Sequence, residues 1–562
     1  MRLTSLIAVA ALCAAPVLAD ARNNAGAYLA ARQAGIANDF SAAAEYYTRA
    51  LALDASNTGL MESVILANVG MGWIDRAVPV ARRLAEETNA SQVADLVLLA
   101  DQISEDDYDE IMVSYAEGRE VGPLVDGLVQ AWAGLGAGDT DAALSQFDDV
   151  SQEEGLKSFA LYHKALALAA AGDFEGADDL LSGRAEGELA VPRRGVIAHA
   201  QILSQLERND AAEELIVAVF GPTPPPVLDA LLDDLQAGET VEYDVVTSAR
   251  EGLGEVFFSV AGALFGETAH SYTLIYSRVA EYLDPRNVDA ILLSASLLDE
   301  LDQFELATRA YDRVPPDSPA FVAAELGRAD ALLADEREEA AVEVLSQLAK
   351  VYPDLSDVHL ALADTLRRLD RFEEAIPAYD RAIELIGEPD RRYWSVYFSR
   401  GIALERTDRW DEAERDFRLA LELEPDQPQV LNYLGYSLVE MKIKLDEALD
   451  MIERAVAGRP DDGYITDSLG WVLYRLGRYD EAVGHMERAA ELMPVDPIIN
   501  DHLGDVYWSV GRQLEAQFQW RRALSFDPEP EEAERIRRKL EVGLDVVLEE
   551  EGADPVAVAD EG

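Results

Sequence analysis

The run SLGWVLYRLGRYDEAVGHMERAAELMP, residues 468–494, is answered by HLGDVYWSVGRQLEAQFQWRRALSFDP, residues 502–528, and the two align without a gap. Across residues 428–530, Gly435, Gly470 and Gly504 recur at intervals of 35 and 34 residues. Ala448, Ala482 and Ala516 keep step with them, as do Ala455, Ala489 and Ala523, and then Pro460, Pro494 and Pro528. A period of about 34 residues marks a tandem repeat. Within each unit a helical run leads to a turn signal, as in Leu476-Gly477-Arg478-Tyr479-Asp480-Glu481-Ala482, and then to a second helical run. Each unit is therefore two helices. A glycine inside a helix costs up to ~1 kcal/mol against alanine, so its recurrence at one place predicts a close approach of two backbones there. The proline just past the second helix closes one unit and sets the start of the next.

Working outward, the chain has 562 residues, 49% of them hydrophobic, which is ample core material. A solenoid grows by contacts between neighbouring units and needs no single central core, so this length does not demand several globular domains. The formal net charge is −60, from 47 basic and 107 acidic residues. Such a chain repels phosphate backbones, which excludes nucleic acid as a partner class. The acidity is either a solubilising surface or an attraction for a basic partner or divalent cations. No run of acids has the spacing of a calcium loop.

Residues 1–19 carry a secretory signal pattern: Arg2 as the positive start, an apolar run from Leu6 to Ala15, a break at Pro16, and Val17-Leu18-Ala19 before the expected mature start at Asp20. The apolar run is too short to span a bilayer, and no later stretch approaches ~20 consecutive apolar residues. Cys13 is the only cysteine and lies within the signal; Leu12 before it and the apolar run after it do not fit a lipidation site, so the chain is expected to be exported without a lipid. The mature chain then has no disulfide and no thiol nucleophile.

Residues 20–220 read as a degenerate form of the repeat, clear at Phe40, Ala43, Tyr47 and Ala50 and again at Ala131, Gly138, Ala143 and Phe147, but poorly matched over residues 92–123. The stretch Gly221-Pro222-Thr223-Pro224-Pro225-Pro226 interrupts the helices. It reads as a semi-rigid joint between two segments or as a longer loop inside one superhelix. Residues 227–550 form a second stretch of repeats, least regular over 227–266 and best from about Ser356 onward. It ends in a capping helix that is acidic at its start and basic in its middle, at Arg535, Arg537, Arg538 and Lys539. A solenoid end needs such a polar outer face. Residues 551–562 are expected to be a disordered acidic tail.

Leu469, Gly470, Trp471, Tyr474, Gly477, Tyr479, Ala482, Ala489 and Pro494, with Leu503, Gly504, Tyr507, Gly511, Ala516, Ala523 and Pro528 in the next unit, make the chain resemble the tetratricopeptide repeat family. The resemblance implies an all-α solenoid of helical hairpins wound as a right-handed superhelix, in one segment or two. It also implies an inner, concave face lined by the first helix of each unit. Carried over residue by residue, that face holds Asn432, Tyr436 and Val439; Tyr464, Asp467, Trp471 and Tyr474; and Ile498, Asp501, Asp505 and Trp508. Asn432, Asp467 and Asp501 fall at one place in successive units and form a polar row, with aromatic residues beside it. Large aromatics next to acceptor groups are the composition of binding hot spots. The peptide-terminus clamp of some family members uses basic residues where acids stand here, so a partner segment with amide or basic donors is expected.

No catalytic constellation accompanies this surface. His163, His199, His270, His359, His485 and His502 are scattered, none at metal-ligand spacing with another. No nucleophile elbow, phosphate-binding loop or dinucleotide fingerprint is present. The expected function is a non-catalytic scaffold or adaptor of the cell envelope, periplasmic, without cofactor, metal or transmembrane segment, that holds a protein or peptide partner in its grooves. The large exported bacterial members that the chain resembles imply an envelope protease or a cell-wall enzyme as client. The alternative is an enzyme, or an obligate subunit of an envelope enzyme complex.

Overall fold

The computed structural model describes residues 25–552 apart from 88–90, 124, 188, 190 and 222–227. The expected signal sequence, the prolines of the interruption and residues 553–562 of the expected tail lie outside the described residues. Among the described residues every regular element is a helix. The fold is the helical-hairpin solenoid that the repeat implies.

Local chemistry sets the helix ends. Asp39, Asn57, Asp139, Asp462 and Asp496 each accept a hydrogen bond from a backbone N–H two or three residues ahead, satisfying an otherwise orphaned donor of the first turn. Pro428, Pro497 and Pro530 sit in first turns, where a missing N–H costs nothing. Between the helices of a hairpin the chain reverses through a left-handed residue, Gly477 at φ 73° and Gly511 at φ 79°.

The repeating small residues lie where the helices touch. A Cβ on Gly435 would sit 2.7 Å from Ile452 Cγ1, one on Gly470 2.7 Å from Met486 Cγ, and one on Gly504 2.4 Å from Trp520 Cδ1. Ala448, Ala482, Ala516, Ala455, Ala489 and Ala523 are fully buried.

The chain divides into two compact units, Met1–Leu348 and Ala349–Gly562, and the boundary falls elsewhere than at the proline-rich stretch. The second unit stacks five hairpins, which begin with Ser356–Arg368, Trp394–Arg406, Pro428–Glu440, Gly463–Arg475 and Pro497–Ser509. The expected single terminal helix is two, Pro530–Val542 and Leu544–Glu550, broken at Gly543. Gly543 has φ 87°, and a Cβ there would lie 2.7 Å from the Trp508 ring. Only a glycine fits that corner.

In the first unit the region expected to be least regular has a definite role. The helices Ala249–Leu264 and His270–Leu283 form a hairpin that packs across the first helices of four earlier hairpins, Thr58–Gly70, Gln92–Ser104, Asp126–Gly136 and Lys157–Ala170. Phe257 and Trp132 are fully buried in the shared core, and a Cβ on Gly252 would fall 2.4 Å from Trp132. Glu255, also buried, accepts from Tyr162 Oη at 2.8 Å and from Arg194 Nε at 2.9 Å. Sequence on both sides of the prolines thus shares one core.

Candidate functional site

The repeat register places four residues of successive first helices in each of two rows. One row runs Asn432, Asp467, Asp501, Arg535; the other runs Tyr436, Trp471, Asp505, Lys539. The first three residues of each row are the expected groove residues. The fourth comes from Pro530–Val542, and the structure brings the rows together there.

Lys539 is the hub. Its ammonium is fully buried and donates to Asp505 Oδ1 and Oδ2 at 2.6 and 2.7 Å and to Asp501 Oδ2 at 2.7 Å. It lies 5.7 Å from the centre of the Trp520 ring, and Trp520 Nε1 donates to Asp505 Oδ1 at 2.9 Å. Arg535 adds a second cation, 3.8 Å from Asp501 and 3.6 Å from Asp505, while its Nε donates to Glu551 at 2.8 Å. Burial pushes the Asp501 carboxyl above the ordinary carboxylate range, and Asp505 adds to the rise although Lys539 opposes it. The basic middle of the terminal helix is therefore divided. Lys539 turns inward rather than serving a polar outer face, because the buried Asp505 and the partly covered Asp501 beside it must be paired.

One unit earlier the row is aromatic. The Trp471 ring lies near-parallel to His502, 4.0 Å between centroids, and to Tyr474, 4.8 Å between centroids. Trp471 Nε1 donates to Glu440 Oε1 at 2.8 Å, and Arg475 lies over the indole at 5.9 Å. His502 Nδ1–H donates to Asp467 Oδ2 at 3.0 Å. Burial disfavours the charged imidazole, but Asp467, with Asp501 and Asp505 behind it, outweighs burial and raises the His502 pKa. Trp508 is half-buried and donates to Asp545 Oδ2 at 3.0 Å.

Asp467, Trp471, Tyr474 and Asp505 are thus buried and paired within the chain, whereas Asn432, Tyr436 and Asp501 are partly covered. Tyr464 and Ile498, at one register position near the starts of their helices, are 56% and 44% exposed. Beside them a cavity of about 270 Å³ is lined by Glu440, Trp471, Arg475, Ile498, Asp501, His502 and Arg535, among others. His502, Glu440, Arg475, Arg535 and Lys539 were not among the expected groove residues. Extending the same register one unit further would have found Arg535 and Lys539, and His502 stands next to Asp501.

Among the described residues no group of three or more His, Cys, Asp or Glu is placed to hold a metal ion, and no helix is long and apolar enough to cross a membrane. The carboxylates of the site face cations, indole N–H groups or an imidazole, with no nucleophile set against a base. The arrangement can bind.

Comparison with known proteins gives the class. Residues 354–426 and 467–494 match models of the Tetratricopeptide repeat, so the chain carries tetratricopeptide repeats. It is 30% identical over 183 residues to the TPR repeat-containing protein PA4667 of Pseudomonas aeruginosa, covering 32% of this chain and 30% of that one. It is 28% identical over 176 residues to the Tetratricopeptide repeat protein 13 of Homo sapiens, covering 30% of this chain and 19% of that one. The matches span less than a third of either relative. Among solved structures, a chain of the APC/C hetero-tetramer Cut9–Hcn1 aligns at 14% identity with a TM-score of 0.38, covering 95% of this chain and 99% of that chain.

Proposed function

We propose that the protein is a non-catalytic scaffold or adaptor of the bacterial periplasm that holds a protein partner against the first helices of its C-terminal repeats. Tetratricopeptide repeats mediate protein–protein interaction, and the observation that carries the location is the exposed pair Tyr464 and Ile498 beside the cavity at Trp471. The N-terminal first helices support the same location, since four of them are covered by the chain's own hairpin. The partner class is an envelope protease or cell-wall enzyme, in keeping with the exported members that the chain resembles. Delivery to the periplasm follows from residues 1–19, and protein purified from its host should begin at Asp20. A retained Met1 would overturn export.

The test of the scaffold reading is site-specific photocrosslinking in cells. A photoreactive residue at Ile498 or Tyr464 should capture one discrete protein, and the same residue at Leu514, 82% exposed on the second helix of its hairpin, should not. Equal capture from all three positions would remove the groove assignment. Turnover of peptidoglycan or peptide by the purified chain alone would overturn the non-catalytic reading.

A further inference from the structure

We propose that Pro530–Val542 is a tethered competitor for the inner face of the last repeats. It seats its own Lys539 and Arg535 where a lysine- or arginine-bearing segment of a partner pairs with Asp501 and Asp505. This rests on the scaffold reading and names both the partner's chemistry and a control built into the fold.

Three observations carry it. First, the two rows of the inner face run into this helix, so Arg535 and Lys539 stand at the register positions that Asp501 and Asp505 hold one unit before. Second, Asp505 shows how the face treats a cation. It receives a fully buried ammonium through both oxygens, over an indole, with Asp501 as a second acceptor. That is a built lysine site, filled from within. Third, the helix is held more by charge than by apolar burial. Its buried residues are Ala533, Ile536 and Lys539, whereas Gly463–Arg475 buries eleven of its residues, Gly463, Ile465, Leu469 and Val472 among them. Arg535 with Glu551 and Arg538 with Glu550 at 2.6 Å tie it to the following helix, Leu544–Glu550, which Trp508 holds in turn through Asp545.

A basic segment landing on Tyr464 and Ile498 and reaching Asp501 and Asp505 must replace Lys539. The affinity measured for it is reduced by the fraction of molecules in which the helix is docked. Any change that undocks the helix tightens binding.

The probe is a short fluorescein-labelled peptide of alternating arginine and leucine, titrated at moderate salt into the full chain, with an alternating glutamate–leucine peptide as control. Lys539→Met should bind the basic probe at least tenfold more tightly than the unaltered chain. Arg537→Gln removes one charge from an exposed place on the same helix and should bind like the unaltered chain. Hydrogen exchange on the unaltered chain supplies a readout that does not depend on the variant folding. On saturation with the basic probe, amides of residues 530–550 should exchange faster while those of 497–509 slow. Equal affinity of Lys539→Met and the unaltered chain overturns the proposal. So does a probe that protects 497–509 while 530–550 stays protected, an outcome that leaves the scaffold reading standing.

Discussion

At the scale of single residues, the repeat rests on glycines facing side chains of different stiffness. A Cβ on Gly470 meets Met486, which is flexible, whereas one on Gly504 meets Trp520, whose indole is tied to Asp505. Gly504→Ala should therefore lower the melting temperature more than Gly470→Ala, and Gly470→Leu should cost about 1–3 kcal/mol by overpacking. Equal effects of the two alanines would mean that Trp520 yields as easily as a methionine. Lys539 should be worth more, because removing one partner of a buried pair leaves the others uncompensated. Lys539→Met is expected to cost about 3–5 kcal/mol in denaturant unfolding. His502 makes stability depend on pH. Its folded pKa is raised above the ordinary 6.5, so its contribution is fully present below about pH 6.5 and is lost as pH rises through the folded value. The groups acting on it are Asp467 from Gly463–Arg475 and Asp501 and Asp505 from its own helix, and Glu440, Arg475, Glu532 and Arg535 line the same cavity. Asp467→Asn should flatten the loss of stability between neutral and mildly alkaline pH, and the imidazole signals followed by NMR should titrate at lower pH in that variant.

At the scale of elements, the 34-residue beat made nearly all of the C-terminal hairpins legible, since glycine, alanine and proline report backbone contacts that depend on neighbours in sequence. What the beat could not show was which side of an inner helix ends up covered. Trp471 was expected to face a partner, and its 8% exposure comes from His502 on the next helix and from Tyr474 on its own. The pattern identified the position, and only the packed neighbours decide whether a ring there is surface or seam. Trp471→Ala should accordingly lower stability by about 3–5 kcal/mol, as for a large buried aromatic. A melting temperature unchanged by that substitution would return the ring to the exposed groove. The terminal helix illustrates the same limit. Its basic residues read as one polar face, yet Lys539 is fully buried and Arg537 is exposed, a difference set by the aspartates of the preceding helix.

At the scale of the whole molecule, a period in sequence cannot announce a contact between segments far apart along the chain, and this is why the helix Ala249–Leu264 was legible only as part of the irregular region 227–266. Its apolar residues Phe257 and Val260 did not fit the repeat because they share a core with Trp132, Tyr162 and the helices around them. The consequence is testable by truncation. A fragment of residues 349–552 keeps all five C-terminal hairpins with the core of Tyr397, Phe417, Leu434, Val472, Val506 and Trp520, and solenoid stability is close to a sum of unit and interface terms, so it should fold and melt cooperatively. A fragment begun at Val227 keeps the same hairpins but strips Ala249–Leu264 of its covering helices and leaves Glu255 without Arg194 or Tyr162. It should expose Phe257 and Val260, bind a hydrophobic dye and aggregate, while circular dichroism shows the C-terminal helices intact. Were the fragment from Val227 as soluble and as cooperative as the shorter one, the hairpin would be stable without the N-terminal helices and the shared core would contribute little to the fold.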